Sequence, residues 1–554
     1  MNLANLGLTG LNAAQLRLQT AGHNINNSAT DGYNRQTVQV SSAGAVSTGS
    51  GFIGQGVQVD SINRSYDSFL SQQLVNSQSG GAALDAYGNQ IAQVNNLFAD
   101  RTVGVSPALQ KFFDGMQTLA SSPSDSAVRQ DLLGRAGSLV TNINSASAFL
   151  SQQRGNINTQ ISTTVTQINS YLDRVKDLNH QITVAQAGNP AQPPNDLLDQ
   201  RDQLVSQLSQ LIGVKTSVQG GSINLTVGNG QILLGGDTVF PLQAVASAAD
   251  PSRTVVAYSA VSGVNGAMIP VEMPDQAITG GSLGGLLSYR SQALDTAQNE
   301  LGRMAAGLAM SVNTQHDQGV DLNGAPGTDF FSLGSPKVIP NAGNSTAGAA
   351  ALSASFVTTA SNQLTGLDYQ VKYDGTNYSV FTSPAGNQVG AASPTLAGVG
   401  IPGLSLALSG TPAAGDSWLV QPTRTAADDL KLQISDPAKI AAADTNGGSA
   451  NGVNALALAQ LQTSKVLGNG TMSLNESYSQ IVNKVAVLTQ QNTTASTAQT
   501  ALIAQNTAAQ QAVSGVNLNE EYVNLDNYQQ QFQAASRLIT VSATLFDTLL
   551  NMRS

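Results

Sequence analysis

The sequence predicts a mainly α-helical protein with β insertions. Its N- and C-terminal segments form a discontinuous, coiled-coil-like helical bundle, and β-rich domains point outward. Three observations carry this. Apolar residues recur every seven positions at both ends and in the middle of the chain, the spacing of helices that bury a stripe against other helices. Two internal blocks switch to a period of two, as half-buried strands require. At 554 residues the chain is too long for a single core. Matching seams at its two ends describe a chain that leaves a bundle and returns to it.

The first seam is Ala4, Leu11, Leu18 and Ile25, with Ala14 and Ala21 at the alternate positions. A polar stretch follows, "NINNSATDGYNRQ", residues 24–36. Asn24, Asn27 and Thr30 offer side chains to free helix-end groups, and Asp31 with Gly32 makes a turn. The stretch reads as a joint between a terminal helix and the next domain, with Tyr33 and Arg35 as contacts between neighbouring segments or subunits. A second seam, Ile161, Ile168, Val175 and Ile182, stops at Gly188 and Pro190. Leu197, Leu204 and Leu211 continue the spacing to Gly213, and Leu287, Leu294, Leu301 and Leu308 repeat it.

Near the C-terminus the register runs through Leu474, Ile481, Leu488, Ala495, Leu502, Ala509 and Val516. A fresh seam then follows at Leu525, Phe532, Ile539 and Phe546. Leu518 and Leu549 extend this terminal helix as further interface candidates. It has a seam but no partner expected in the free monomer, so residues 1 to about 30 and 520–554 are expected to order when neighbouring subunits cover them.

Alternation marks the strands. Ile223, Leu225 and Val227, a turn at Gly228, Asn229 and Gly230, then Ile232 and Leu234 form one hairpin. Tyr369, Val371 and Tyr373, a turn from Asp374 to Asn377, then Tyr378 and Val380 form another. The expected division is terminal helices at 1–35 and 516–554, a discontinuous helical domain at 36–213, 283–334 and 436–515, a β-rich insertion at 214–282 and an outer β-rich domain at 335–435.

Composition narrows the function. Net charge is -10 and only 10% of residues are charged, which disfavours nucleic acid, since phosphate binding needs clustered cations. With no cysteine, disulfides, thiolate zinc sites and cysteine nucleophiles are excluded. "MNLANLGLTGLNAAQ" lacks the basic start and apolar core of a cleavable signal, and no apolar run reaches the roughly 20 residues of a membrane span. Membrane insertion is therefore not expected.

Candidate chemistry is sparse. His23, His180 and His316 lack a second His one turn away. "DLNGAPGTD" from Asp321 lacks the ligand, the Gly and the closing Glu of a calcium loop. "GGSLGG" at 280–285 lacks the GKS or GKT ending of a phosphate loop. Asp196, Asp199 and Asp202, three apart, share one helix face and suit a metal or, more simply, capping of a helix start with Arg201 as ion-pair partner. Glu520 and Glu521 are adjacent and so point about 100° apart on a helix, which unfits them as a catalytic pair. No catalytic, cofactor or metal site is expected, and the chain is not expected to be an enzyme.

With these residues in place, the chain resembles the flagellar axial family of rod, hook and hook-filament junction proteins. Asn24, Ile25, Asn26 and Asn27, followed by Thr30, Asp31, Gly32 and Tyr33, are similar to the family's Asn-Ile-Ala-Asn and Thr-Pro-Gly-Tyr signature, with Asn26 for Ala and Asp31 for Pro. "NDLLDQRDQLVSQLSQLIGV" from Asn195 and "GVNLNEEYVNLDNYQQQFQAASRLI" from Gly515 resemble the junction branch.

The resemblance implies terminal helices paired in an inner tube and a structural, non-enzymatic role as a ring of subunits. The ring would lie between hook protein and a second junction protein. It also implies extracellular localisation in the bacterial flagellum after type III export without a cleavable signal, and an export chaperone on the C-terminal helices. Alternatives are another axial protein of hook or rod, a secreted helical translocator, or an enzyme with a carboxylate site in a β insertion.

Overall fold

The computed structural model describes residues 3–49, 51–99, 104–189, 192–228, 230–261 and 268–552. Pro190 and Asn229, expected at a helix stop and a turn, lie outside the described residues. The stalk is built around helix α4, Ser126–Gly188, about 95 Å long at 1.5 Å per residue. Asp125 starts it by accepting from the amides of Ala127 and Val128. Ile161, Ile168, Val175 and Ile182 are fully buried along it, as their spacing demands.

Helix α1, Leu3–Asn26, leads to a ribbon of β1, Gln36–Ser42, and β4, Val57–Arg64, with the small hairpin β2, Ala45–Thr48, and β3, Gly51–Gly54, at its far end. This ribbon, inside a stretch expected to be helical, is a correction: Val38 and Val40, then Val57 and Val59, alternate with polar residues in runs cut short by Ser41 and by a bulge between Gln39 and Val40. Helices α2, Ser68–Ala99, α3, Val105–Ser121, and α5, Asn195–Leu211, come next; α3 and α5 pack on α4, and α2 packs on α5.

The first β insertion holds a four-stranded antiparallel sheet, β5 to β8, at Val214–Gln219, Ser222–Val227, Gln231–Gly235 and Thr238–Val239. A three-stranded sheet follows, formed by β9, Leu242–Ala246, β10, Thr254–Val261, and β11, Met268–Glu272. Helix α6, Gly281–Tyr289, continues through a π-helical turn, Arg290–Leu294, into α7, Asp295–His316. Leu294, Leu301 and Leu308 on this helix are fully buried and Leu287 nearly so.

The outer domain is a second core, with Tyr369, Val371, Val380, Trp418 and Val420 under a five-stranded sheet. Its strands are β13, Lys337–Pro340, β15, Asp368–Tyr373, β16, Tyr378–Ser383, β17, Gln388–Ser393, and β19, Ser417–Gln421, and the pair β14, Ala351–Phe356, with β18, Leu404–Ser409, packs beside it. A short pair, β12, Phe331–Ser332, with β20, Lys431–Leu432, closes its base. Helices α8, Ala426–Asp429, α9, Val453–Gln460, α10, Leu474–Ser514, and α11, Leu518–Asn551, return the chain to the stalk.

The register of α10 needs correction. Leu474 and Ile481 are buried as expected, but Ala495 and Leu502 are exposed. The face turned to α2 carries Asn492, Gln499 and Asn506, also seven apart. Their amides donate to the backbone carbonyls of Leu84, Ser77 and Gln73 at 3.1, 2.7 and 3.4 Å. Glycines on α2 make room: a Cβ on Gly88 would lie 2.6 Å from Asn492 Nδ2, and one on Gly81 2.8 Å from Ile503 Cδ1. An apolar pattern could not reveal a seam made of amides and glycines.

Candidate assembly site at the terminal helices

Helices α1 and α11 pair with each other, antiparallel, as the resemblance implies, and the expectation that α11 lacks a partner within the free chain is corrected. Their shared seam is made of small residues. Gly7, Ala14 and Ala21 are buried on α1, seven apart, and Glu521, Ala535 and Ser542 are buried on α11. A Cβ on Gly7 would lie 2.7 Å from Ile539 Cγ1 and 3.1 Å from the Ala535 carbonyl. Small seam residues bring two helix axes close.

The larger residues expected in the seam flank it. Leu11, Leu18, Ile25, Leu525, Phe532 and Ile539 are half-buried. Arg17 donates to Gln531 Oε1 at 3.1 Å and lies 5.5 Å from the Tyr528 ring centroid. Leu3 falls at the level of Ser542, so the end of α11 runs past it. There Phe546 is 61% and Leu549 66% exposed, with Leu545 and Leu550 beside them, and Leu518 is exposed at the other end of α11. Phe546 is thus not a buried seam position within the chain.

The polar stretch after α1 is a knot of hydrogen bonds. Asn27 donates to the His23 carbonyl at 3.0 Å and Ser28 to that of Ile25 at 2.9 Å, closing the helix end. Thr30 reaches Asn27 Oδ1 at 3.3 Å. Gly32 has φ +80°, a conformation that favours glycine, and a Cβ there would meet Gln203 Oε1 at 2.8 Å and push that side chain aside.

Asn24 is buried with every polar site used. Its Oδ1 accepts from Tyr33 Oη at 2.8 Å and from the Gln36 amide at 2.9 Å, and its Nδ2 donates to the Gln36 carbonyl at 2.9 Å and to Glu521 Oε2 at 3.2 Å. Burial, then the nearby carboxylates of Asp196, Asp199 and Glu521, hold the Tyr33 hydroxyl protonated well above its ordinary range. It therefore serves as a donor here.

Arg35 joins the two chain ends. Its Nε meets Glu521 Oε1 at 2.7 Å, its Nη1 meets Glu520 Oε2 at 3.3 Å, and its amide donates to the Ser514 carbonyl at 2.9 Å. The link from α1 into the bundle and the link from α10 into α11 are therefore one composite joint.

The three aspartates of α5 do not cap it: Pro194 occupies the cap position and no side chain caps the first turn. Asp196 accepts from Gln36 Nε2 at 2.7 Å; Asp199 accepts from the Asn34 amide at 3.0 Å, from Asn34 Nδ2 at 2.6 Å and from Arg64 at 2.8 Å; Asp202 pairs with Arg64 at 2.8 Å. Burial outweighs these bonds and pushes the Asp199 carboxyl up. Arg201 pairs with Asp202 at 3.9 Å, as an ion-pair partner is expected to, and also donates to the Gly221 carbonyl at 2.7 Å. Their one-face spacing was visible in sequence; that Asn34 and Arg64 would meet them was not. Asp321 closes a turn by accepting from the amides of Asn323 and Ala325. Among the described residues no helix is long and apolar enough to cross a membrane.

Paired chain ends, a joint that rivets them to a long stalk, and an uncovered apolar helix face define a subunit of a helical axial assembly. Residues 91–331 match the family described as flagellar hook-associated protein FlgK helical domain, 339–422 the flagellar hook-associated protein 1 D2-like domain, and 509–552 the flagellar basal body rod FlgEFG protein C-terminal family.

Flagellar hook-associated protein 1 of Salmonella typhimurium is 40% identical over 561 residues, and that of Escherichia coli K12 39% over 555, each alignment covering 100% of both chains. The solved flagellar hook junction protein FlgK from Burkholderia pseudomallei, 33% identical, superposes with a TM-score of 0.73 and covers 80% of this chain and 100% of that one. The chain belongs to the flagellar hook-associated protein 1 family, structural proteins of the flagellar hook-filament junction.

Proposed function

We propose that the chain acts as a ring of subunits between the hook and the next junction protein, held together by the outward faces of α1 and α11. The observation that carries this is the apolar end of α11, with Leu545, Phe546, Leu549 and Leu550 exposed beyond the reach of α1. Contiguous apolar surface of this kind is covered in a finished assembly. Leu11, Leu18, Ile25, Leu525, Phe532 and Ile539 lie beside it at the rim of the helix pair, and Leu518 extends the surface toward the joint.

In this reading Asn24, Asn27, Thr30, Gly32, Tyr33 and Arg35 set the angle at which the pair meets the stalk. The functional division is 1–35 with 516–554 as the inner-tube segment, 36–213 with 283–334 and 436–515 as the helical domain, and 214–282 and 335–435 as outward β domains. Hook protein and the second junction protein are the axial neighbours. An export chaperone covers the C-terminal helices before type III export to the extracellular flagellum. The chain is structural and not an enzyme.

Electron microscopy of a deletion strain tests the assignment. Hooks without filaments, with flagellin lost to the medium and restored by the intact gene, are expected. Normal filaments in the deletion strain would overturn it.

A further inference from the structure

A row of alternating charges runs where the stalk, the first β insertion and the outer domain meet. Arg290 pairs with Asp275 at 3.1 Å, Asp275 with Arg253 at 2.6 Å, Arg253 with Asp295 at 2.9 Å and Asp295 with Arg424 at 2.9 Å. Arg424 also pairs with Asp368, and Arg154 of α4 branches onto Asp295. Arg290, Asp295 and Arg154 belong to the stalk, Arg253 and Asp275 to the first insertion, Asp368 and Arg424 to the outer domain and its return.

The π-helical turn makes the row possible. In an α-helix residues five apart point roughly 140° away from each other. Bonding five residues on brings Arg290 and Asp295 toward one face, and π turns of this kind recur at functional positions. The return strand is pressed onto the same helix. Thr423 Oγ1 donates to the Asn299 carbonyl at 2.9 Å, Asn299 Nδ2 donates to Asp368 Oδ1 at 3.1 Å, and a Cβ on Gly302 would lie 1.7 Å from the Thr423 carbonyl.

We propose that this row of ions is the mount that fixes the outer β domain at one angle on the stalk, with Arg424 as its positioning residue. Arg424 alone among the described residues pairs with a carboxylate of the stalk and one of the outer domain. Its planar fork addresses two acceptors at set angles, which a lysine cannot reproduce. Domains swivel unless their interface is large and apolar; Leu364 of the outer domain packs on Ala306 and Met310 of α7, and the desolvated, directional ion pairs add a constraint on angle that non-directional apolar contact does not supply.

The chain has no cysteine, so the test can use the full protein with Ser170→Cys on α4 and Thr376→Cys in the outer domain, spin-labelled for pulsed electron resonance. One narrow distance distribution is expected. Arg424→Gln and Asp368→Asn should each widen it, Arg424→Lys should widen it less, and helical circular dichroism should be unchanged. Asp368→Asn keeps the side-chain shape and carries the test if Arg424→Gln fails to fold. A broad distribution in the parent, or a distribution as narrow in Asp368→Asn as in the parent, would overturn the proposal.

Discussion

Asn24 and Glu521 are 497 residues apart in the chain and 3.2 Å apart in the fold, a side-chain amide on a carboxylate across the terminal helix pair. Asn24→Ala strands the buried Glu521 oxygen and the Gln36 backbone, a loss of about 1–3 kcal/mol for each group left unpaired. The cost falls on the joint. Hydrogen exchange should quicken in α1 and α11 and stay slow in the buried middle of α4. Equal protection in both proteins would mean the bond does not hold the pair.

Gly7→Leu forces a side chain into Ile539 and the Ala535 backbone, where even a Cβ has 2.7 Å. Rigid overpacking costs about 1–3 kcal/mol. Because the backbone carbonyl cannot step aside, α1 and α11 should separate near the N-terminus. Hydrogen exchange of the amides around Gly7 and Ile539 should quicken in this variant relative to the parent, and exchange as slow as in the parent would refute the close approach.

Phe546→Asp probes the uncovered face. Its side chain is mostly in water, so the monomer's unfolding free energy should change by about 0.5 kcal/mol or less. Incorporation at the hook tip, scored by filament attachment and motility, should be lost, because assembly would bury an unpaired charge. Full motility would remove α11 from the interface.

At the start of α10, Ser473 and Glu476 form a reciprocal cap, and Lys465 pairs with the same glutamate. The Lys465 hydrogen bond first, then the Ser473 amide and hydroxyl, pull Glu476 down from 4.5 to about 2. A depressed carboxyl stabilises the fold above its unfolded value and loses that contribution as pH falls through its folded one. Protection of the first turn of α10, taken relative to the intrinsic exchange rate at each pH, should therefore fall between pH 4.5 and about 2. Glu476→Gln should flatten this dependence, and an unchanged profile in that variant would refute the cap's role.

Seams that bury aliphatic side chains were legible from spacing alone: Ile161 to Ile182 and Leu287 to Leu308 lie where a seven-residue period puts them. Both hairpins were legible too, with Tyr373 opposite Tyr378 and Leu225 opposite Leu234. Seams built from Gly7, Ala14 and Ala21, or from Asn492, Gln499 and Asn506, were not, because hydrophobicity does not register a close backbone approach or an amide on a carbonyl. The joint was legible as a joint. That Arg35 would reach Glu521, 486 residues away, and Arg64 reach Asp199, 135 residues away, depends on long chain reversals, which no local pattern encodes.

The amide seam between α2 and α10 has a mechanical consequence. Apolar contact is non-directional and lets one surface creep along another. Here a slip of α10 along its axis must lift three amides off their carbonyls together and drive Asn492 and Ile503 out of the notches that Gly88 and Gly81 leave. The two helices mesh like the teeth of a rack, so a longitudinal load has to break these contacts together before either helix can move.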